Sequence, residues 1–282
     1  MLNRNLRDTA IKELERITNV HTAVVENTKN SAINLFELRQ KCCTSVIMEC
    51  EAYVNTLSNS PKEFEKAVSE YRLEVREFKG ILEEIDSEIS AANIKAGGTA
   101  GGGALAGAGV AAFAPTAAMA IATTFGTAST GTAIATLGGA AATNAALAWL
   151  GGGALAVGGG GMAGGSALLA MAGPIGWGIS ISAIVGGGLM SRKRNAEIAE
   201  KANNETIKIT AQIKQLDVSI KSIEKLIELT STHVKGVSDV LAYLKEHAPL
   251  NYRQFSNDQS KALMLLINHV NSLSELLKKS VN

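Results

Sequence analysis

Apolar residues recur at alternating steps of four and three through the first and last thirds of the chain. One series is Phe64, Val68, Tyr71, Val75, Phe78, Leu82, Ile85, Ile89 and Ala92. This spacing keeps every member on one stripe of a helix and sustains an a/d seam for about four heptads. Ser60-Pro61-Lys62-Glu63 predicts where that helix opens, with serine as N-cap, proline in the first turn and glutamate three residues on. A longer seam runs through Ile209, Ile213, Leu216, Ile220, Ile223, Ile227, Thr230, Val234, Val237, Leu241 and Leu244, and Thr230 is its one polar member. Pro249 marks its end. Ser256 to Gln259 repeats the capping-box pattern and predicts a shorter helix carrying Leu263, Leu266, Val270, Leu273 and Leu277.

The first flank, about residues 3–58, is less regular. Leu14, Ile17, Val24, Leu35, Leu38 and Cys42 fit one seam, while His21, Thr28 and Ser31 interrupt it. The plain reading is a seam that tolerates polar members. Such members can also set register.

Between the flanks the charges stop. Lys95 is followed by 96 residues without Asp, Glu, Lys, Arg or His, up to Arg192, and 26 of the chain's 28 glycines fall in that block. Three regions are expected: amphipathic helices over 1–95, a Gly/Ala-rich apolar region over 96–191, and a heptad helix plus a short helix over 192–282. The expected fold is all-α, an elongated antiparallel bundle of long amphipathic helices enclosing or carrying a Gly/Ala-rich helical-hairpin region.

A hydrocarbon core about 30 Å thick takes roughly 20 helical residues to cross. The block offers candidates at 116–137, 140–157 and 166–190. Pro115 suits a helix start, Gly138-Gly139 and Gly158–Gly161 suit breaks, and Pro174 suits a kink. In lipid, small residues four apart let helix backbones approach. Gly97 and Gly101, Gly103 and Gly107, and Gly161 and Gly165 have that spacing. Leu, Ile, Phe and Val are sparse, so insertion is expected to be marginal and compatible with a sheltered state beforehand. Thr123, Thr127 and Thr130 share a helical face; they can bond between helices or line a wet pore. Arg192, Lys193 and Arg194 close the block with cations suited to an anionic membrane surface. If both flanks stay on one side of the bilayer, the number of crossings is even.

Composition narrows the chemistry. A net charge of +1 gives no overall pull toward nucleic acid, and none is expected as a partner. Cys42, Cys43 and Cys50 form an odd set with no second pair nearby, so neither a disulfide framework nor a metal site is expected. GGGALAGAGVAA lacks the preceding strand and following acid of a dinucleotide loop. No Lys exists in the block for a P-loop. The histidines, at 21, 233, 247 and 269, lie on helical flanks. No catalytic residue or cofactor is expected, and the chain reads as a non-enzyme. The stretch MLNRNLRDTAIKELERI has no apolar h-region, which predicts cytoplasmic synthesis without a signal peptide.

The run TAAMAIATTFGTASTGTAIATLGGAAATNAALAWLGGGALAVGGGGMAGG, with AGPIGWGI after it, is similar to a segment of bacterial glycine-zipper proteins. An apolar Gly/Ala hairpin region between amphipathic helices resembles α-helical membrane-active proteins: colicin pore-forming domains, the haemolysin BL and cytolysin A group, and apolipoprotein L. The resemblance implies a soluble-to-membrane transition and homo-oligomeric assembly in lipid, with the bilayer as partner and with toxin or defence activity. The flanks also suit a helical protein partner. Two other functions compete. One is a non-lytic membrane scaffold or virion channel component, which predicts oligomers without leakage. The other is a soluble helical interaction module, which predicts no membrane association at all.

Overall fold

The computed structural model describes residues 2–96, 120, 124, 192–279 and 281. They form an all-α bundle. Helix α1 (Leu2–Lys41) passes through a π-helical turn (Cys42–Val46) into α2 (Ile47–Thr56). Lys41 and Ile47 keep right-handed helical angles, so the three pieces make one continuous rod. Helix α3 is Lys62–Ala96, α4 is Arg192–His247, and α5 is Asn257–Lys278. A short 3-10 turn, Tyr252–Gln254, precedes α5. With 56 residues, α4 is about 84 Å long.

The rod and α3 form one hairpin. Tyr53 meets Phe64 near the turn, and Phe36 meets Phe78 further away, so the two run antiparallel. Helices α4 and α5 form the second hairpin, with His233 against His269 and the Gln259 amide donating to the His247 carbonyl at 2.7 Å. The two hairpins lie side by side in the same sense. Thus α1 and α4 run parallel, with Arg7 donating to Asn195 at one end and Ser58 bridging to Asn251 at the other. The antiparallel relation predicted from the seams holds within each hairpin.

The two tight turns are stapled together. The Ser58 N–H donates to the Leu250 carbonyl at 2.8 Å, and the Tyr252 N–H donates to the Ser58 carbonyl at 3.0 Å. The Asn59 side-chain amide donates to Asn251 Oδ1 at 3.0 Å, and that oxygen also accepts from the Arg253 N–H. Asn59 has φ 56°, a left-handed angle that asparagine tolerates better than most residues. The expected capping box at Ser256 and Gln259 is present in both directions. The one expected at Ser60 and Glu63 is not formed. Its serine hydroxyl turns to the Glu65 carboxylate, and α3 starts at Lys62 with the Pro61 carbonyl accepting from Phe64 and Glu65. Coming directly after left-handed Asn59, Ser60 directs its hydroxyl to a carboxylate of the first turn rather than to the first amides.

Two cores result. The main one joins all the helices of the stapled half: Leu35, Phe36, Val68, Tyr71 and Phe78 from the first hairpin with Leu216, Ile223, Leu241, Leu266 and Val270 from the second. The smaller one, toward the open end, is Ala10, Leu14 and Ile17 against Ala199, Ala202 and Ile209. Among the described residues it joins α1 to α4, where three alanines allow close approach. Among the described residues no helix is long and apolar enough to cross a membrane.

The π turn has a local cause. From Ala10 to Cys42 the seam of α1 steps regularly, but Cys42, Val46 and Cys50 are two successive steps of four, and all three are buried. An α-helix would carry such a series round its surface. One widened turn absorbs the extra residue and keeps both halves facing the core.

Candidate functional site

The block between Ala96 and Arg192 is the feature that distinguishes this chain from a plain helical bundle. Both junctions lie away from the stapled turns, since α3 runs toward the open end and α4 starts there. Within the block, Ala120 and Thr124 are described; both are helical and fully buried. Ala120 belongs to the main core. The Thr124 carbonyl accepts from the Val281 N–H at 2.8 Å, and Val281 is 3% exposed. The block is therefore docked on the bundle at this point, beside the end of α5.

The residues that set this contact come from three helices. Helix α5 ends at Lys278, and Lys279 turns extended, φ −75° and ψ 120°. Arg39, from the last turn of α1, donates through Nη2 to the Leu276 carbonyl at 3.0 Å and also to the Lys279 carbonyl. Lys278 pairs with Glu74 of α3. The Arg39 side chain is 1% exposed, and its Nε and Nη1 have no hydrogen-bond partner. Burial pulls its guanidinium down to about 10, which leaves it charged at neutral pH. A cation suits the carbonyl end of a helix, where the backbone dipole is negative.

Cys42 and Cys43 lie near Arg39, and Cys50 lies further along the rod; all three are free and buried. Burial pushes their thiols up, to about 11, about 12 and about 12 respectively, so they carry no appreciable thiolate. The Tyr71 hydroxyl donates to the Cys42 carbonyl at 3.1 Å, a bond that helps satisfy the widened turn. Among the described residues no group of three or more metal-ligating side chains comes together.

A second polar contact lies between α4 and α5. His233 Nδ1 and His269 Nδ1 are 2.9 Å apart, with rings edge to face. Gly236 makes room for it, because a Cβ there would overlap the His269 ring. Burial first, and His233 second, lower the His269 pKa. His21, Thr28 and Thr230, the polar seam members, are all buried. The Thr28 hydroxyl donates to the Val24 carbonyl of its own helix at 2.7 Å.

The glycines expected to pack helices, Gly97, Gly101, Gly103, Gly107, Gly161 and Gly165, lie outside the described residues, as do Thr123, Thr127 and Thr130. So do the three candidate spans, apart from Ala120 and Thr124 in the first. Arg192, Lys193 and Arg194 form the first turn of α4. Sequence reasoning missed Arg39 as a site residue. Its only signal was a charged residue one step from the seam position Leu38. The tail contact carried no signal, because Val281 stands outside the seam of α5. Comparison with protein-family models, curated proteins and solved structures gave no match to this chain.

Proposed function

We propose that this protein is a membrane-inserting helical protein of the pore-forming or membrane-perturbing kind, acting as a toxin or defence effector. Its stapled bundle is the soluble carrier, and residues 96–191 are the cargo that enters lipid and assembles with other copies. The observation that carries this reading is the docking of Ala120 and Thr124. A charge-free stretch of 96 residues is joined to a polar bundle at both ends, and at its described positions it is hidden in that bundle's core. Sheltering of this kind is what a weakly apolar Gly/Ala segment needs before it meets a bilayer.

The test is purification without detergent, followed by flotation with anionic liposomes and a dye-release assay. The expected result is a protein that stays soluble alone, floats with vesicles and releases dye. Stable oligomers that float without leakage would transfer the reading to a scaffold. A protein that never floats would end it. Thr127→Lys sharpens the placement, because a charge at mid-span costs about 2.5–3.5 kcal/mol on insertion scales. That variant should lose protease protection of the block in vesicles while keeping the wild-type helical content in buffer.

A further inference from the structure

Arg39 is a poor choice for stability alone. It is a fully buried cation that pairs with no carboxylate among the described residues and leaves two guanidinium nitrogens unmet. An apolar side chain of similar length would fill the space without that desolvation. What the guanidinium does, and an apolar group cannot, is grip two carbonyls on either side of the point where α5 stops. It holds Leu276, still in the helix, and Lys279, already extended. That grip fixes the direction in which Lys279 leaves α5. Two residues on, the Val281 N–H meets the Thr124 carbonyl, and its side chain packs into the core that holds Ala120.

We infer that Arg39, Leu276, Lys279 and Val281 form a catch that holds the apolar block to the bundle at Thr124, and that opening it is the step preceding release. The role in release rests on the membrane reading above; the catch itself rests on the contacts. These are arranged in series, from the Arg39 guanidinium to the Lys279 carbonyl, then to Val281 and Thr124. Loosening the first link therefore frees the last. The closing contact is also incomplete, since the Thr124 hydroxyl is buried without a partner. An unmet buried hydroxyl favours leaving.

The full-length chain carries the test, in two variants. Val281→Pro removes the N–H that Thr124 accepts, with Val281→Ala as the control that keeps it. Arg39→Met removes the grip while filling the space. Hydrogen exchange in lipid-free buffer reads the peptide around Thr124, with the amides around Leu241 in α4 reporting the bundle. Sedimentation with phosphatidylcholine–phosphatidylglycerol vesicles reads release.

Both variants should speed exchange around Thr124 by roughly three- to tenfold, the equivalent of one hydrogen bond. Exchange around Leu241 should stay unchanged, and the vesicle-bound fraction should rise. Unchanged exchange at Thr124 in Arg39→Met overturns the catch, as does global loss of protection in that variant, which would make Arg39 a core support. If Val281→Pro alone unfolds, Arg39→Met decides. Faster exchange around Thr124, with vesicles binding the variants no better than a wild type that does bind, overturns the role in release. If no form binds vesicles but exchange rises as expected, the catch stands and the membrane reading fails.

Discussion

At the scale of single residues, the polar groups inside the bundle divide by what they touch. Thr28 satisfies its own helix, so it sits in the seam at little cost. The imidazole of His269 is different. Its nearest ionisable neighbour is the other ring of the pair, and burial together with that ring holds its pKa below the ordinary value of about 6.5. The folded state therefore prefers the neutral ring. This preference contributes fully above about pH 6.5 and is lost as the pH falls through the lowered folded value. The urea midpoint should drop between pH 7 and pH 5, and His269→Gln should flatten that slope. Gly236→Ala tests the same pair from the other side. Its methyl would displace the His269 ring, while alanine favours the helix by about 0.5–1 kcal/mol. The two effects oppose each other, so stability at pH 8 should change by no more than about 1 kcal/mol. The pH slope should weaken, because the ring pair is broken. A slope identical to wild type would show that the pair does not set it.

At the scale of elements, the widened turn in the α1–α2 rod is the feature most open to a decisive experiment. Deleting Thr44, an exposed member of that turn, would make the seam steps from Leu38 onward alternate four and three again. The helix should then close as regular α with both flanking faces still on the core. The expected cost is below about 1 kcal/mol, whereas deleting Glu26 rotates everything on one side of it by about 100° and should cost several times more. Equal losses for the two deletions would contradict this account of the π turn. Most of the framework was legible from such steps. Phe64 to Phe78, Ile209 to Leu244 and Leu263 to Leu277 are buried or half-buried where the seams put them. Periodicity fails where a helix touches two neighbours at once. Ala32, Phe36, Arg39 and Cys43 are buried off the seam because the stapled half of the bundle covers a second face of α1. The pairing of the two tight turns was not legible either. It depends on Asn59 and Asn251 meeting across a separation of 192 residues, which no local pattern encodes.

At the scale of the whole molecule, stability is unevenly spread. Among the described residues, the stapled half packs the α1–α2 rod, α3, α4 and α5 around a core that includes Phe36, Phe64, Tyr71 and Phe78, whereas the α1–α4 arm shares a small cluster with three alanines. The smaller described core of the arm predicts that it opens first. Amides of α1 around Leu14 and of α4 around Ala202 should exchange faster than those around Leu35 and Leu241, by a margin that vanishes only under globally unfolding conditions. Uniform protection along α4 would refute that ordering. The common exit of Ala96 and Arg192 toward the unstapled end has a mechanical corollary. Both ends of the segment are held by helices of the same bundle, so any departure of residues 97–191 of the kind proposed above would leave it tethered twice, and no charged helix would have to be threaded past another.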